Sequence, residues 1–218
     1  KVSGQHEAWH GIELAKTMHP SPGWETPGLQ LPQLPGEIAQ WGRLKPKAWE
    51  EVKGQIDGAD DWLKMNQRHI IVHPGSAGSA NNYSQANYLK LIEGLCDVGL
   101  RVILTGTAVE AEQFDFSRRS GQEGVIDTMG RMTLEQLLAL IGASDGLVAS
   151  STGPLHMAAA SGVMCMGLYG PDAPEWPERW HPVGPRAHWV TAKRIASDGA
   201  LEIEVAEVLA KILSALSE

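Results

Sequence analysis

From residue 69 to the C-terminus, short apolar runs alternate with longer segments whose apolar residues recur every three or four positions. Runs at 69–72, 100–104, 125–127, 146–149, 163–168 and 188–191 read as strands. Helical spacing covers 84–98, 108–119, a segment opened by Thr133, one opened at Pro154, and 201–216. Thr133 and Gln136 have the spacing of a capping box, and Leu134, Leu137, Leu138 and Ile141 form one apolar stripe behind it. Parallel strands need crossovers of helix length, so this alternation predicts an α/β fold built on a doubly wound, Rossmann-like parallel sheet. In such sheets ligands bind beyond the carboxyl ends of the strands. The loops 73–82, 105–112, 150–156 and 169–176 are therefore expected to converge on one rim.

The first third of the chain reads differently. Trp9, Ile12, Leu14 and Ala15 suggest one short helix over 7–18, while Pro20, Pro22, Pro27, Pro32, Pro35 and Pro46 mark residues 19–46 as an extended connector. A polar helix is expected over 48–65, weakened by Gly54 and Gly58. The domain reading is thus a leading segment of 1–46 and a nucleotide-binding domain of 47–218. Lys1 is neither an initiator methionine nor the start of a signal peptide, and the chain reads as cut from something longer.

A formal net charge of −8 provides no broad positive field for nucleic acid or for a polybasic membrane anchor. Cys96 and Cys165, one in an expected helix and one in an expected strand, form neither a disulfide framework nor a zinc spacing. The expectation is a cytoplasmic protein with at most peripheral contact with the inner membrane, since no apolar run reaches the ~20 residues a span needs.

The stretch from Leu147 to Ala160 runs from an apolar strand through Ser151, Thr152 and Gly153 into a helix, with Pro154 where a first helical residue would stand. Unpaired amides and the positive dipole end at such a terminus favour an anion such as a diphosphate. Ser, Thr and Gly are also ordinary caps, so these residues alone leave both readings open. The small-residue loop His73-Pro74-Gly75-Ser76-Ala77-Gly78 suits a backbone nest approaching phosphate. Neither G-x-G-x-x-G nor the Walker pattern is present, which argues against a dinucleotide dehydrogenase and a P-loop NTPase. Glu110, beyond an expected strand end, is placed to accept from a ribose or sugar hydroxyl, or else simply favours a helix start. His156 either packs structurally or donates an imidazole N–H to phosphate. No second His or Cys stands four residues from it and no Asp-x-Asp pair occurs, so no metal site is expected, and no cofactor.

Four stretches together resemble the C-terminal domain of the ADP-heptose:lipopolysaccharide heptosyltransferase family of GT-B glycosyltransferases. They are Ile70-Ile71-Val72-His73-Pro74-Gly75-Ser76, Val102-Ile103-Leu104-Thr105-Gly106, Ser151-Thr152-Gly153-Pro154-Leu155-His156-Met157-Ala158-Ala159-Ala160, and Leu168-Tyr169-Gly170-Pro171-Asp172-Ala173-Pro174. The resemblance covers about residues 68 to 191. It implies the donor-binding half of an inverting transferase that passes heptose or a related sugar from a nucleotide-diphosphate donor to a lipid-linked saccharide acceptor, without a required metal. The general base is implied to lie in an N-terminal half, so no catalytic residue is expected here and the fragment alone is expected to be inactive. Thr152, Gly153 and His156 fall where the family contacts the diphosphate, and Glu110 where an acid binds the nucleoside. The expected donor-binding set is Ser76, Asn81, Thr105, Glu110, Ser151, Thr152, Gly153, Pro154 and His156. Asn81 stands where the family has a basic residue, Tyr83-Ser84 replace a Trp-Pro pair, and Ser151 stands where an Asp commonly touches the sugar. A non-catalytic sugar-nucleotide module, or a hydrolase or epimerase acting on the same donor, are the alternatives.

Overall fold

The computed structural model describes residues 67–78, 80–115, 123–173 and 176–218. The expectations for 7–18, 19–46 and 48–65, and the boundary at 46, lie outside these residues.

Six short apolar runs become strands: β1 (His69–His73), β2 (Arg101–Leu104), β3 (Val125–Asp127), β4 (Gly146–Ser150), β5 (Met164–Tyr169) and β6 (Ala187–Thr191). They form one sheet in the order β3-β2-β1-β4-β5-β6, with every neighbouring pair parallel. The chain winds outward from β1 through β2 to β3, then returns to the far side of β1 with β4. The strand order therefore reverses between β1 and β4, where Ile70 pairs with Gly146 and His73 with Ala149. This is the switch point at which a doubly wound sheet opens a crevice.

The pleat sends alternate side chains to opposite faces. Ile70, Val72, Val102, Leu104, Val148, Met164, Met166 and Leu168 face one core, completed by helices α1 (Gln85–Asp97) and α6 (Val205–Leu216). Ile71, Ile103, Leu147, Ala149 and Cys165 face the other, completed by α3 (Leu134–Ala143) and α4 (Gly153–Ala160). Two short helices, α2 (Ala108–Gln113) and α5 (Pro177–Trp180), sit in the loops after β2 and β5. Because both faces are covered, the strands read as continuous apolar runs rather than as an alternating pattern.

Local capping fixes where the helices begin. Ser84 Oγ accepts from the Asn87 amide at 3.2 Å to open α1. Thr133 and Gln136 form the expected capping box. Three expectations shift. The helix after β2 stops at Gln113, well short of 119, because Phe114 turns inward against Tyr88. The last helix starts at Val205 and not at 201, because Leu201 bridges to both Tyr83 and Ile195. Leu134 leaves the apolar stripe of α3 and is 64% exposed, and Leu140 with Ile141 is buried in its place.

Candidate functional site

Because all six strands run the same way, their carboxyl ends share one edge, and the loops after β1, β2, β4 and β5 rise from it. The loop after β4 is the most constrained. Ser150 ends the strand fully buried, held at 3.4 Å from the hydroxyl of Tyr88 in α1. Thr152 is the N-cap of α4, with extended backbone at φ −137 and ψ 163 and no side-chain capping bond. Its Oγ1 is buried without a hydrogen-bond partner. A buried hydroxyl left unsatisfied costs on the order of 1–3 kcal/mol, so such an atom at a helix N-terminus points to something that binds it.

The amides around that hydroxyl follow from helix geometry. Gly153 is the first helical residue and Pro154 the second, one position later than expected from the proline. Pro154 has no N–H to orphan, and the His156 amide reaches the Thr152 carbonyl at 3.3 Å. The amides of Gly153 and Leu155 have no intrahelical carbonyl to meet and, with the dipole, make this end attractive to an anion. A Cβ added at Gly153 would meet nothing within 4 Å, so the space over the first turn is open. His156 lies in that first turn, half-buried.

Across the switch point, the loops after β1 and β2 are locked together by a carboxylate. Glu110 is 7% exposed. Its Oε2 accepts from the Thr107 amide at 2.8 Å and the Thr107 hydroxyl at 3.0 Å, while Oε1 accepts from the Ala77 amide at 3.0 Å. With the Thr107 hydroxyl accepting from the Glu110 amide, this is a second capping box. Two carboxylate oxygens offer about four acceptor positions, so one remains on Oε1 for a ligand hydroxyl. The arrangement requires Gly75, where a Cβ would fall 2.0 Å from Glu110 Oε1. It also holds Ala77 at a φ of 47, in the left-handed region, ahead of Gly78 at 77. Ser76 is buried and its hydroxyl donates to the Ala80 carbonyl at 2.9 Å, closing the loop on itself.

Thr105 does not offer its hydroxyl freely to the rim, since its Oγ1 lies 2.9 Å from His73 Nδ1. Asn81 sits at the foot of the β1 loop, its Oδ1 beside Gly199. The structure thus gathers Ser76, Thr105 and Glu110 on one side of the switch point and Ser151, Thr152, Gly153, Pro154 and His156 on the other, with Asn81 near the outer end of the first loop. Sequence reasoning placed His73 and Tyr169 at the start of rim loops but gave the side chain of neither a role at this edge. The signal for each was its place as the last residue of a buried strand, where a polar side chain needs a partner on the rim.

Burial holds the imidazole of His73 below its ordinary value, against an opposing pull from the Glu110 charge. Burial pushes the Glu110 carboxyl up, but the Thr107 bonds, His73 and the Ala77 amide outweigh it and hold the group below the usual carboxylate range. At neutral pH the pair is a neutral imidazole beside an ionised carboxylate. Unfolding raises the proton affinity of His73 towards about 6.5, so acid favours the unfolded chain. The stability linked to His73 is complete above that pH and falls as pH drops towards the lowered folded value. Glu110 adds a further loss at lower pH, as its carboxylate is protonated. Urea midpoints measured at pH 7.5 and 5.5 are expected to differ less in His73→Gln than in the native chain. An unchanged difference would assign the acid sensitivity to other groups.

Among the described residues no group of three His, Cys, Asp or Glu side chains is placed to hold a metal ion, and no helix is long and apolar enough to cross a membrane.

A parallel sheet of this strand order, with an anion-ready helix end at its switch point, defines the Rossmann-like class. The family model of glycosyltransferase family 9 (heptosyltransferase) matches residues 38–202, and the chain belongs to that family. It is 31% identical over 122 residues to lipopolysaccharide heptosyltransferase 2 of Salmonella typhimurium, covering 53% of this chain and 35% of that one. Its fold matches that of E. coli heptosyltransferase WaaC with ADP at a TM-score of 0.65 and 17% identity, over 98% of this chain and 57% of the other. E. coli ADP-heptose lps heptosyltransferase II matches at 0.60 and 22%, over 78% of this chain and 51% of the other. The chain spans between about a third and somewhat over half of these relatives' lengths. The expected doubly wound, Rossmann-like parallel sheet is the one observed.

Proposed function

We propose that this chain is the donor-binding half of an inverting glycosyltransferase that moves heptose or a related sugar from a nucleoside-diphosphate donor to a saccharide acceptor of the lipopolysaccharide type. The observation that carries this reading is the buried, partnerless hydroxyl of Thr152 at the N-terminus of α4, at the reversal of strand order. Family membership supplies the reaction class, and the relative solved with ADP suggests the nucleotide. A lipid-linked acceptor and a cytoplasmic site at the inner membrane follow from the same reading.

In this reading the donor lies across the switch point. The diphosphate meets the Thr152 hydroxyl and the amides of Gly153 and Leu155, and the nucleoside hydroxyls meet the remaining acceptor position of Glu110. When the bond from sugar to phosphate breaks, negative charge grows on the departing diphosphate. Fixed donors aimed at that charge lower the barrier because they need no reorganisation as it forms. His156, one turn into α4, adds an imidazole N–H towards the same oxygens. No general base is assigned among the described residues.

Calorimetry with ADP, UDP and GDP in EDTA tests the site. Submillimolar binding of at least one, unchanged by chelation, is the expected result, because the anion is met by helix amides rather than by a metal. Binding weaker than millimolar for all three, or binding that appears only with Mg²⁺, would overturn the assignment.

A further inference from the structure

Trp176 closes the rim loop after β5 and stands just before α5. Its carbonyl accepts from the Arg179 and Trp180 amides at 3.2 Å, so the backbone is committed to the turn that follows. The indole is not committed. Trp176 Nε1 is buried with no hydrogen-bond partner among the described residues, the same condition as Thr152 Oγ1. An indole N–H can only donate, and burying a donor without an acceptor is costly. The ligand-free chain therefore carries this group at a loss.

The fold sets that N–H beside the start of α4. Tyr169 Cε2 and Leu155 Cδ2, the latter in the first turn of α4, both fall within 3.1 Å of the point where a Cβ on Gly167 would stand. The hydroxyl at that end of the Tyr169 ring donates to the Trp180 carbonyl at 2.6 Å, which fixes Trp180 next to the same turn. Further along, the Gly184 backbone rests on Ala159 in the last turn of α4. The chain from Trp180 to Gly184 thus descends along α4 from its first turn to its last. Trp176, one turn ahead of Trp180, lies on the rim side of it, where Thr152 and Gly153 open the helix.

Two loops from neighbouring strands bring donors to this place: the amides of Gly153 and Leu155 and the Thr152 hydroxyl from one, the indole N–H from the other. A sugar hydroxyl arriving there brings a proton of its own that needs an acceptor, whereas diphosphate oxygens only accept. Resting on the donor-site reading above, we propose that Trp176 is a further donor-binding residue, whose indole N–H donates to an oxygen of the diphosphate held at Thr152 and the first turn of α4. The diphosphate is then gripped from α4 on one side and from the β5 loop on the other.

The test compares ADP, inorganic pyrophosphate and adenosine on the native chain, on Trp176→Phe, and on a chain carrying benzothienylalanine at 176, which exchanges the indole N–H for sulfur at nearly the same shape. Loss of the N–H is expected to weaken ADP and pyrophosphate by the same factor, about ten- to a hundredfold, the range of one hydrogen bond to a charged group. The ligand-free melting temperature of the benzothienylalanine chain is expected to stay unchanged or rise, because a buried donor without a partner has been removed. A merely structural Trp176 would instead lower it. In the native chain with isotope-labelled tryptophan, the indole N–H resonance that Trp176→Phe removes is expected to move downfield with ADP and with pyrophosphate and to stay in place with adenosine. ADP affinity within twofold of native in the benzothienylalanine chain, or an indole resonance that saturating ADP leaves in place, overturns the proposal while the donor site stands. A loss for ADP without one for pyrophosphate overturns it too, since the N–H then meets the nucleoside. If the native chain binds neither ADP nor pyrophosphate, the donor-site reading falls and the proposal falls with it.

Discussion

Thr152→Asp is expected to make the protein more stable and to abolish binding of ADP. The two effects have one cause. Thr152 caps α4 without a side-chain bond, and its hydroxyl is buried without a partner. A carboxylate at the N-cap can accept from the Leu155 amide, and such caps contribute about 0.5–2 kcal/mol, with up to about 1 kcal/mol more from the dipole. For a domain of this size that corresponds to a rise of roughly 2–4 °C per kcal/mol in Tm. The same carboxylate occupies the amides that would hold the diphosphate and sets a like charge against it. Two unit charges about 4 Å apart near a protein surface repel by ~4 kcal/mol, on the order of a thousandfold in Kd. Thr152→Asn supplies the cap without the charge and is expected to keep binding within about tenfold. Thermal melts and calorimetry on both variants separate the outcomes. If Thr152→Asp binds ADP within tenfold of the native chain, the end of α4 is not the anion site.

The parallel sheet was readable because its signal is long-range in sequence but simple in kind. Each strand is buried on both faces and so is a plain apolar run, and each crossover helix carries its own periodic stripe. Boundaries failed where a tertiary partner claimed a residue that local periodicity had assigned to a helix. Phe114 leaves the helical path because its ring packs edge-on to Tyr88 at 6.3 Å. Leu201 is drawn off by bridges to Tyr83, 118 positions upstream, and to Ile195. Leu134 fits the stripe by spacing, yet the first turn of α3 projects beyond the core and leaves it exposed.

The candidate site divides in the same way. A strand running through Ser151, Thr152 and Gly153 into a helix with proline in its first turn is a local pattern, and the structure builds that element. Glu110 was legible as an acid beyond a strand end, and its spacing from Thr107 also carried the capping box that the structure forms. What no local pattern contained was its bond to Ala77, 33 residues away, or the need for Gly75 beneath it. Tyr169 was hidden for a related reason. Aromatic residues at strand ends are ordinary core, and only the position of the Trp180 carbonyl, 11 residues on, gives the hydroxyl of this one its partner.

Gly184→Ala is expected to be the most damaging single-methyl change at the glycines flanking α4. Gly184 lies between α5 and β6, and its backbone rests on the last turn of α4. A Cβ there would fall 2.3 Å from the Ala159 carbonyl oxygen, 2.8 Å from its carbon and 3.0 Å from its Cα. All three are backbone atoms, so no side chain can rotate away, and either the loop or the helix must move. Ala159 is itself 1% exposed against the sheet, which prevents the helix from retreating. Over-packing of this kind typically costs 1–3 kcal/mol, and a collision confined to backbone belongs at the upper end, about 3 kcal/mol. At roughly 2–4 °C per kcal/mol the expected fall in Tm is ~6–12 °C. Gly153→Ala is the matched control at the other end of the same helix. Its Cβ enters open space, and exchanging glycine for alanine in a helical position contributes up to ~1 kcal/mol. Gly153→Ala is therefore expected to leave Tm unchanged or slightly raised. Melts of the two variants that fall together would show that α4 tolerates no methyl at either end. If both remain at the native value, the loop at Gly184 can withdraw from α4, and the far end of the proposed anion-binding helix is not clamped by the chain that follows β5.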